Sequence, residues 1–283
     1  MIQTEPESIK TVILAYLFKY FEQFRHNLEK AVVEYDPEAI HEYRVSVKRI
    51  RSVIRALDRI YEEPLFSKKL MQPMREMFKA GGTIRDDQVQ IGLVENIEKE
   101  YGQYFPLIKA FYQNRINNQR NTFFKASVDF DYDTLTEISA QIESALDPLD
   151  DEYLEYNLYR RLHESMEKLK RKRYDLEKPE NLHRFRTRYK ENSYIAEMIY
   201  QSRYSNKITK TVYNRMKNFG LELGNWHDHY QLWSKTALIF QESRNTDILG
   251  EAFELRKLIT PIHDKLFQET LHLIKRDDSL FAI

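Results

Sequence analysis

A stripe of cationic side chains led by a histidine is the part of this 283-residue sequence best suited to chemistry. Its members are spaced alternately three and four residues apart, so on a helix they lie along one face. Arginine binds phosphate oxygens as a fork, lysine adds a mobile point charge, and histidine can donate a hydrogen bond to an anion. Because successive helical turns are about 5.4 Å apart, the stripe suits an extended polyanion better than one phosphate. The stripe consists of His41, Arg44, Lys48, Arg51 and Arg55.

Two motifs recur 142 residues later in the chain. The start of the stripe returns as His183, Arg186 and Lys190. Gly82-Thr83-Ile84-Arg85-Asp86 returns at the same offset as Gly224-Asn225-Trp226-His227-Asp228. Like charges along a helix repel by roughly 0.2–0.5 kcal/mol per pair, so a stripe present in both copies favours an anionic ligand. We therefore predict an internal repeat with one unit at residues 1–142 and a second at 143–283.

Cations on neighbouring helices are further candidates for the same ligand. A helix predicted at about 65–80 and its counterpart near 206–221 carry polar residues at matching offsets. From these two helices we select Lys68, Arg75, Lys210 and Lys217. Arg85 and His227 each follow a glycine-rich break, on the first turn of a helix that Thr83 or Asn225 would cap. The helix dipole disfavours a cation at that end, and a bound phosphate would reconcile the two.

Each of these features has a structural alternative that the sequence leaves open. The stripe could be a solvated helix face with ion pairs, and the glycines and acids of the second motif could serve only as helix caps. His41 and His183 could be ligand donors or core residues hydrogen-bonded to a carbonyl. The basic run at 168–173 could be a nucleic-acid patch, although cations also complement the C-terminal end of a helix.

No catalytic or metal constellation emerges from the sequence. His227 and His229 are two positions apart, so on a helix their rings point about 200° apart and make a poor chelate. The sequence contains no cysteine, no Ser-His-Asp arrangement, no phosphate-cradling glycine loop and no H-E-x-x-H motif. We therefore predict a protein without enzymatic activity, cofactor or metal.

Composition disfavours several other classes. The formal net charge is zero, whereas general nucleic-acid binders are more often basic overall. The longest apolar run, from Val12 to Phe18, is far too short to span a membrane. With 7 Gly and 8 Pro the chain is poor in turn residues, which disfavours a hairpin-rich β fold. We expect a soluble, cytoplasmic protein.

Helical periodicity dominates the elements that must position these side chains. An apolar seam runs from Ile40 to Tyr61 at alternating spacings of three and four. The stripe is offset from this seam by one residue, about 100° of helix rotation, so it should border the core. Asp36 is a candidate cap for this helix, Pro37 suits its first turn, and Pro64 lies beyond its end.

Other helices are predicted along the rest of the chain. They lie at 9–20, 104–125, 152–174, 180–202, 226–242 and 248–275, with an Asp-rich junction at 129–151 that has room for a short helix. The predicted fold class is therefore all-α, with two antiparallel helical bundles related by a pseudo-two-fold axis.

The residues around both motifs resemble the conserved histidine α-helical domain, or CHAD, family. The first family signature is similar to His41-Glu42-Tyr43-Arg44-Val45-Ser46-Val47-Lys48-Arg49-Ile50-Arg51, and the second to Gly82-Thr83-Ile84-Arg85-Asp86-Asp87-Gln88-Val89. The second half is similar in His183-Arg184-Phe185-Arg186, Lys190 and Leu223-Gly224-Asn225-Trp226-His227-Asp228. The resemblance covers nearly the whole chain. It implies a basic central channel that binds inorganic polyphosphate, and association with polyphosphate granules.

The chain departs from this family at several positions. Gln88 and Tyr230 stand where an acid is common, and Glu191 and Glu197 follow Lys190 where further basic residues are usual. The second half should therefore hold a polyanion more weakly than the first. Two other functions stay open: RNA binding, which exposed aromatic or amide side chains beside the cations would support, and an adaptor role toward acidic or phosphorylated partners. A third, an enzyme that acts on phosphorylated substrates, would need a metal or a base, and neither is clear in the sequence.

Overall fold

The fold consists of helices throughout the part of the chain that the structure describes. The structure is a computed structural model, and it describes residues 8–62, 64–66, 69–201 and 208–283. Within these ranges there is no β-strand, which confirms the all-α prediction. The helices are α1 (Ile9–Glu34), α2 (Pro37–Tyr61), α3 (Gln72–Tyr101), α4 (Pro106–Val128), α5 (Asp133–Leu146), α6 (Asp151–Lys172), α7 (Pro179–Gln201), α8 (Lys210–Glu242), α9 (Thr246–Arg276) and a final 3-10 helix (Asp278–Phe281).

The helix that carries the stripe begins and ends where the sequence predicts. The Asp36 side chain accepts hydrogen bonds from two backbone N–H groups in the first turn of α2, and Pro37 is the first helical residue. Such a cap stabilises a helix by about 1 kcal/mol. The helix ends at Tyr61, before Pro64. In between, the apolar seam is buried and the stripe lies at its edge, with Arg44 buried and the other members half-buried.

Helix positions in the two halves of the chain correspond closely. α1 and α2 begin at Ile9 and Pro37, and α6 and α7 begin 142 residues later, at Asp151 and Pro179. This is the offset that the predicted repeat requires. The predicted boundary at residue 142 falls inside α5, the helix that joins the two series. The division into two units stays a prediction.

The apolar core draws on both halves of the chain. A larger cluster combines α1, α2 and α5 with α6, α7 and part of α8, and it contains the fully buried Tyr43, Tyr189 and Trp226. A smaller cluster combines the ends of α3 and α4 with α8 and α9, through residues such as Val94 and Leu255. The halves are therefore held together by shared burial. Among the residues described, no helix combines the length and apolarity required to cross a bilayer.

The glycine-rich breaks predicted in both halves are wrong. α3 continues without interruption through Gly81 and Gly82, and α8 continues through Gly224. Neither Gly82 nor Gly224 ends a helix, and neither Thr83 nor Asn225 begins one. Arg85 and His227 are therefore interior helical residues, and the predicted phosphate site at a helix N-terminus does not exist at either position.

Close approach of side chains explains the two glycines of α3. A Cβ atom at Gly81 would lie 1.4 Å from the Tyr43 hydroxyl, and one at Gly82 would lie 2.6 Å from Nη1 of Arg44. The Tyr43 hydroxyl donates to the carbonyl of Met77, 3.3 Å away. The glycines thus let α2 side chains reach the backbone of α3. Tertiary packing outweighs the low helix propensity of glycine here.

Replacing Gly81 with alanine tests this explanation. We expect Gly81→Ala to lower the free energy of unfolding by about 1–3 kcal/mol, because the buried Tyr43 ring must move. Gly92→Ala is the matched control, since no atom lies within 4 Å of a Cβ at that position of α3. That variant should be stabilised by up to about 1 kcal/mol through helix propensity. Chemical denaturation measures both, and equal effects of the two substitutions would contradict the packing role of Gly81.

Candidate functional site

Most of the predicted anion-binding residues converge where α2, α3, α7 and α8 meet. The stripe on α2 lies close to residues of α7 and α8 from the other half of the chain. This proximity is evident because charges on all four helices shift the pKa values of the same side chains. We call this group the central cationic cluster. Its members are His41, Arg44, Lys48, Arg85, His183, Arg186, Lys190 and His227.

The two lysines of the cluster have lowered pKa values because they are buried among other cations. Burial and the charges of Arg44, Arg186 and Lys190 lower the pKa of Lys48 to about 7. Burial and Arg186 lower the pKa of Lys190 to about 8. Desolvated like charges favour the neutral amine unless an anion compensates them. The cluster is therefore arranged to gain free energy from a bound anion.

Few acids offset these charges. Asp86 and Asp228 act on the cluster from α3 and α8, and burial raises the pKa of Asp228 against the effect of Arg186. In the described part of the chain, neither Lys48 nor Arg186 makes an ion pair, and Nε of Arg186 is buried without a hydrogen-bond partner. Hydrogen-bonding capacity is therefore left for a ligand.

Phe78 of α3 is an aromatic platform for the cations, and no pattern in the sequence points to it. The Arg44 guanidinium lies over its ring at 4.3 Å from the centroid and donates through Nη1 to the Phe78 carbonyl. Arg51 and Lys48 approach the same ring at 5.5 and 6.0 Å. Such cation–π contacts hold the charged groups close together without neutralising them. An aromatic residue in a helix could as well have belonged to the core.

Burial and the surrounding cations lower the pKa of all three histidines of the cluster, which favours their neutral form. Burial and Arg85 lower the pKa of His41 to about 4, and burial and Arg186 lower that of His227 to about 3. His183 and His227 lie side by side, with their Nδ1 atoms 3.3 Å apart. One ring can therefore donate its Nδ1–H to Nδ1 of the other, whose own N–H then lies on Nε2 and stays available. No hydrogen bond from His41 or His183 to a backbone carbonyl occurs among the described residues.

Other predicted site residues lie at the edge of the cluster or away from it. Burial and Arg75 lower the pKa of Arg51, which indicates that the exposed Arg75 lies near the stripe. Lys210 and Lys217 are exposed on α8, and no described charge interaction joins them to the cluster. Lys68 lies outside the described residues. His229 contacts the carbonyl of Asn225 in its own helix, at 2.9 Å.

Two acids of α7 pair with cations of α2. Glu191 forms an ion pair with Arg55 and lies 4.0 Å from Arg59 and 3.4 Å from Arg188. Glu197 pairs with Arg49 at 3.0 Å. The acids that interrupt the second-half stripe thus compensate cations of the first half. Within the described ranges, no group of three or more histidine and acidic side chains could hold a metal ion.

Comparisons with known proteins identify the family. The family model of the CHAD domain matches residues 15–234, which is more than half of the chain. The chain therefore belongs to the CHAD domain family.

A solved structure shares the fold. The crystal structure of the CHAD domain from the plant Ricinus communis superimposes with a TM-score of 0.74 at 20% identity, and the match covers 96% of this chain and 94% of that one. Comparison with curated proteins gives no match.

The lysine environment predicts how stability depends on pH. Lys48 has a pKa of about 7 in the folded protein and 10.5 as an ordinary side chain. Between these values the folded state releases a proton that the unfolded state keeps, so the free energy of unfolding rises with pH. We expect the Tm of the ligand-free protein to rise from pH 7 to pH 9, and to rise less in Lys48→Met.

Thermal unfolding in a phosphate-free buffer of low salt measures this dependence. Lys125→Met, at an exposed position of α4, is the control and should follow the wild-type profile. Parallel profiles for wild type and Lys48→Met would show that Lys48 does not titrate in this range.

Proposed function

We propose that this protein binds inorganic polyphosphate in the central cationic cluster and catalyses no reaction on it. One observation carries the proposal: cations from both halves of the chain meet beside the core, where burial and their mutual repulsion lower the pKa of Lys48 to about 7. Polyphosphate would supply the missing negative charge, and its oxygens accept the forked hydrogen bonds that arginine donates. The family resemblance of the sequence implies the same ligand.

An extended ligand fits the cluster better than a single phosphate. Along α2 the cations occur on successive turns, which are about 5.4 Å apart. Across the crossing, Arg186 and Lys190 add donors from α7, and Arg85 and His227 add donors from α3 and α8. A chain of phosphates can contact several of these groups at once, whereas one phosphate reaches only the nearest. The basic central channel that the resemblance implies is part of this proposal.

RNA is the second polyanion to consider, and aromatic burial argues against it. Recognition of single-stranded RNA uses exposed aromatic faces on which bases stack. Trp226, whose ring contacts that of His227, is fully buried, as is Tyr43. The Phe78 ring faces the Arg44 guanidinium. Two of these rings are buried and the third contacts an arginine, so the cluster suits a ligand that consists of phosphates alone.

An adaptor role fits the cluster less well than polyphosphate binding does. Acidic or phosphorylated proteins could use the same cations, but their carboxylates and phosphates are spaced less densely than the phosphates of polyphosphate.

We propose that the protein acts in the cytoplasm and associates with polyphosphate granules. Microscopy of the tagged protein beside a polyphosphate stain tests the location.

The salt dependence of binding tests the proposed ligand. Neutralising phosphates releases counterions, so affinity for polyphosphate should fall steeply with salt. Lys190→Ala and Arg186→Ala should each lower the slope of log affinity against log salt by about one, the value known for nucleic acid. Lys99→Ala, at an exposed position of α3, should leave it unchanged.

Titration calorimetry at several salt concentrations gives these slopes, and competition with RNA in the same buffer compares the ligands. Binding that neither salt nor the cluster variants affect would disprove the proposal. Stronger binding of RNA than of polyphosphate would favour the RNA-binding alternative.

Glu191 should limit affinity, because it occupies cations that could otherwise bind phosphate. We expect Glu191→Gln to raise the affinity for long-chain polyphosphate on the order of tenfold at low salt, as Arg55 and Arg59 are released. Glu254→Gln is the control, since Glu254 pairs only with the exposed Lys257 in the described part of the chain. Equal affinities of Glu191→Gln and wild type would mean that Arg55 and Arg59 take no part in binding.

A further inference from the structure

A second basic groove lies between α6 and α7, next to the central cationic cluster. Its volume is about 970 Å³, at the upper end for ligand pockets in proteins. The wall on α6 carries Arg161, Lys168 and Lys172, and the wall on α7 carries Arg184 and Arg188. Arg55 and Arg59, at the end of α2, also line it, as do three acids, Glu164, Asp175 and Glu191. Seven cations thus face three acids. We call this feature the α6–α7 groove.

The cations on the α6 wall are largely uncompensated. Lys168 and Lys172 make no ion pair among the described residues, although both belong to the basic run at 168–173. Lys170 and Arg173 of the same run instead pair with Asp278, which lies in the final 3-10 helix. The run therefore divides into two faces, and one of them lines the groove. If the run served only to complement the C-terminal end of the helix, its cations would not need to be divided between two faces in this way.

Arg161 shows the same excess of positive charge. Its guanidinium lies 3.6 Å from Glu62, a side chain that is 84% exposed, and such a pair contributes little in water. The Nε atom of Arg161 is buried without a hydrogen-bond partner.

The groove and the central cationic cluster adjoin each other at His183 of α7 and Arg55 of α2. His183 lines the groove and also contacts His227 of the cluster. Arg55 is the last member of the α2 stripe and lines the groove as well. A polyanion held by the cluster can therefore reach the groove past His183 and Arg55, where it competes with Glu191 for Arg55.

The first half of the chain does not repeat this arrangement. The positions that lie 142 residues before Arg184 and Arg188 are Glu42 and Ser46. The counterpart of Lys172 is Lys30, which pairs with Asp36 at 3.2 Å. The counterpart of Arg161 is the basic Lys19, so the first half repeats the basic residues of the groove walls only in part. The fuller set belongs to the half whose cationic stripe on α7 is shorter.

We propose that the α6–α7 groove is a second subsite that binds further phosphates of a polyphosphate chain held in the central cationic cluster. This inference rests on the proposed function. The aromatic residue in the lining, Phe185, is buried, so the groove offers no stacking surface for RNA bases. Long chains then bind more tightly than short ones because they occupy both subsites.

A charge-reversed groove tests the subsite. The variant Lys168→Glu/Lys172→Glu should lose on the order of tenfold or more in affinity for long-chain polyphosphate. Its salt slope should fall by about two. Affinity for tripolyphosphate should not change, because that ligand fits within the cluster. The control Lys99→Glu/Lys125→Glu makes the same change in net charge at exposed lysines near the ends of α3 and α4, and it should bind both ligands almost as wild type does.

The possible results separate the groove from the cluster. Equal losses for tripolyphosphate and long chains, or no loss for either, would overturn the subsite while leaving the proposed function intact. If tripolyphosphate binds the wild type at a second, separate site and this binding disappears in the groove variant, the groove binds anions independently of the cluster. That result would overturn the inference that one chain occupies both subsites. If the wild type binds neither ligand, the proposed function itself fails. Circular dichroism checks folding, and Lys168→Gln/Lys172→Gln repeats the test without charge reversal.

Discussion

The antiparallel crossing of α2 and α7 is the constraint on which the rest of the structure depends. Arg49 pairs with Glu197 and Arg55 with Glu191, so residues advance along one helix as they recede along the other. These two pairs join the halves of the chain and fix the register of the crossing. With that register, the cations of α7 come beside those of α2. The acids stabilise the crossing, but they also remove some of the charge that a polyanion would use.

Concentrating positive charge beside the core is costly, and the fold offsets part of this cost locally. The Phe78 ring accepts cations on its face, and Gly82 makes room for the Arg44 guanidinium. The remaining cost appears in the lowered pKa of Lys48 and Lys190. A site that is destabilised in this way when empty gains stability on binding an anion, because the ligand relieves a repulsion already present in the folded state.

The correspondence of helix positions between the two halves does not extend to the charges. α7 carries acids where α2 carries cations, while Arg184, Arg188 and Lys172 of the α6–α7 groove have counterparts in the first half that are acidic, neutral or paired. The second half thus places its positive charge on a different face of the same helix. A repeat that keeps its helices can change its surface freely, because burial restricts the apolar seam far more than the exposed positions.

The sequence alone determined what depends on local periodicity. The α2 helix, its Asp36 cap, the apolar seam and the stripe beside it all follow from spacings of three and four residues, and the structure agrees with them. The role of Gly81 and Gly82 did not follow, because a glycine that ends a helix and one that admits a neighbouring side chain look the same in sequence. Nor did the pairing of Arg55 with Glu191, which are 136 residues apart. Only the tertiary structure decided these contacts, since they depend on how α2 packs against α3 and crosses α7.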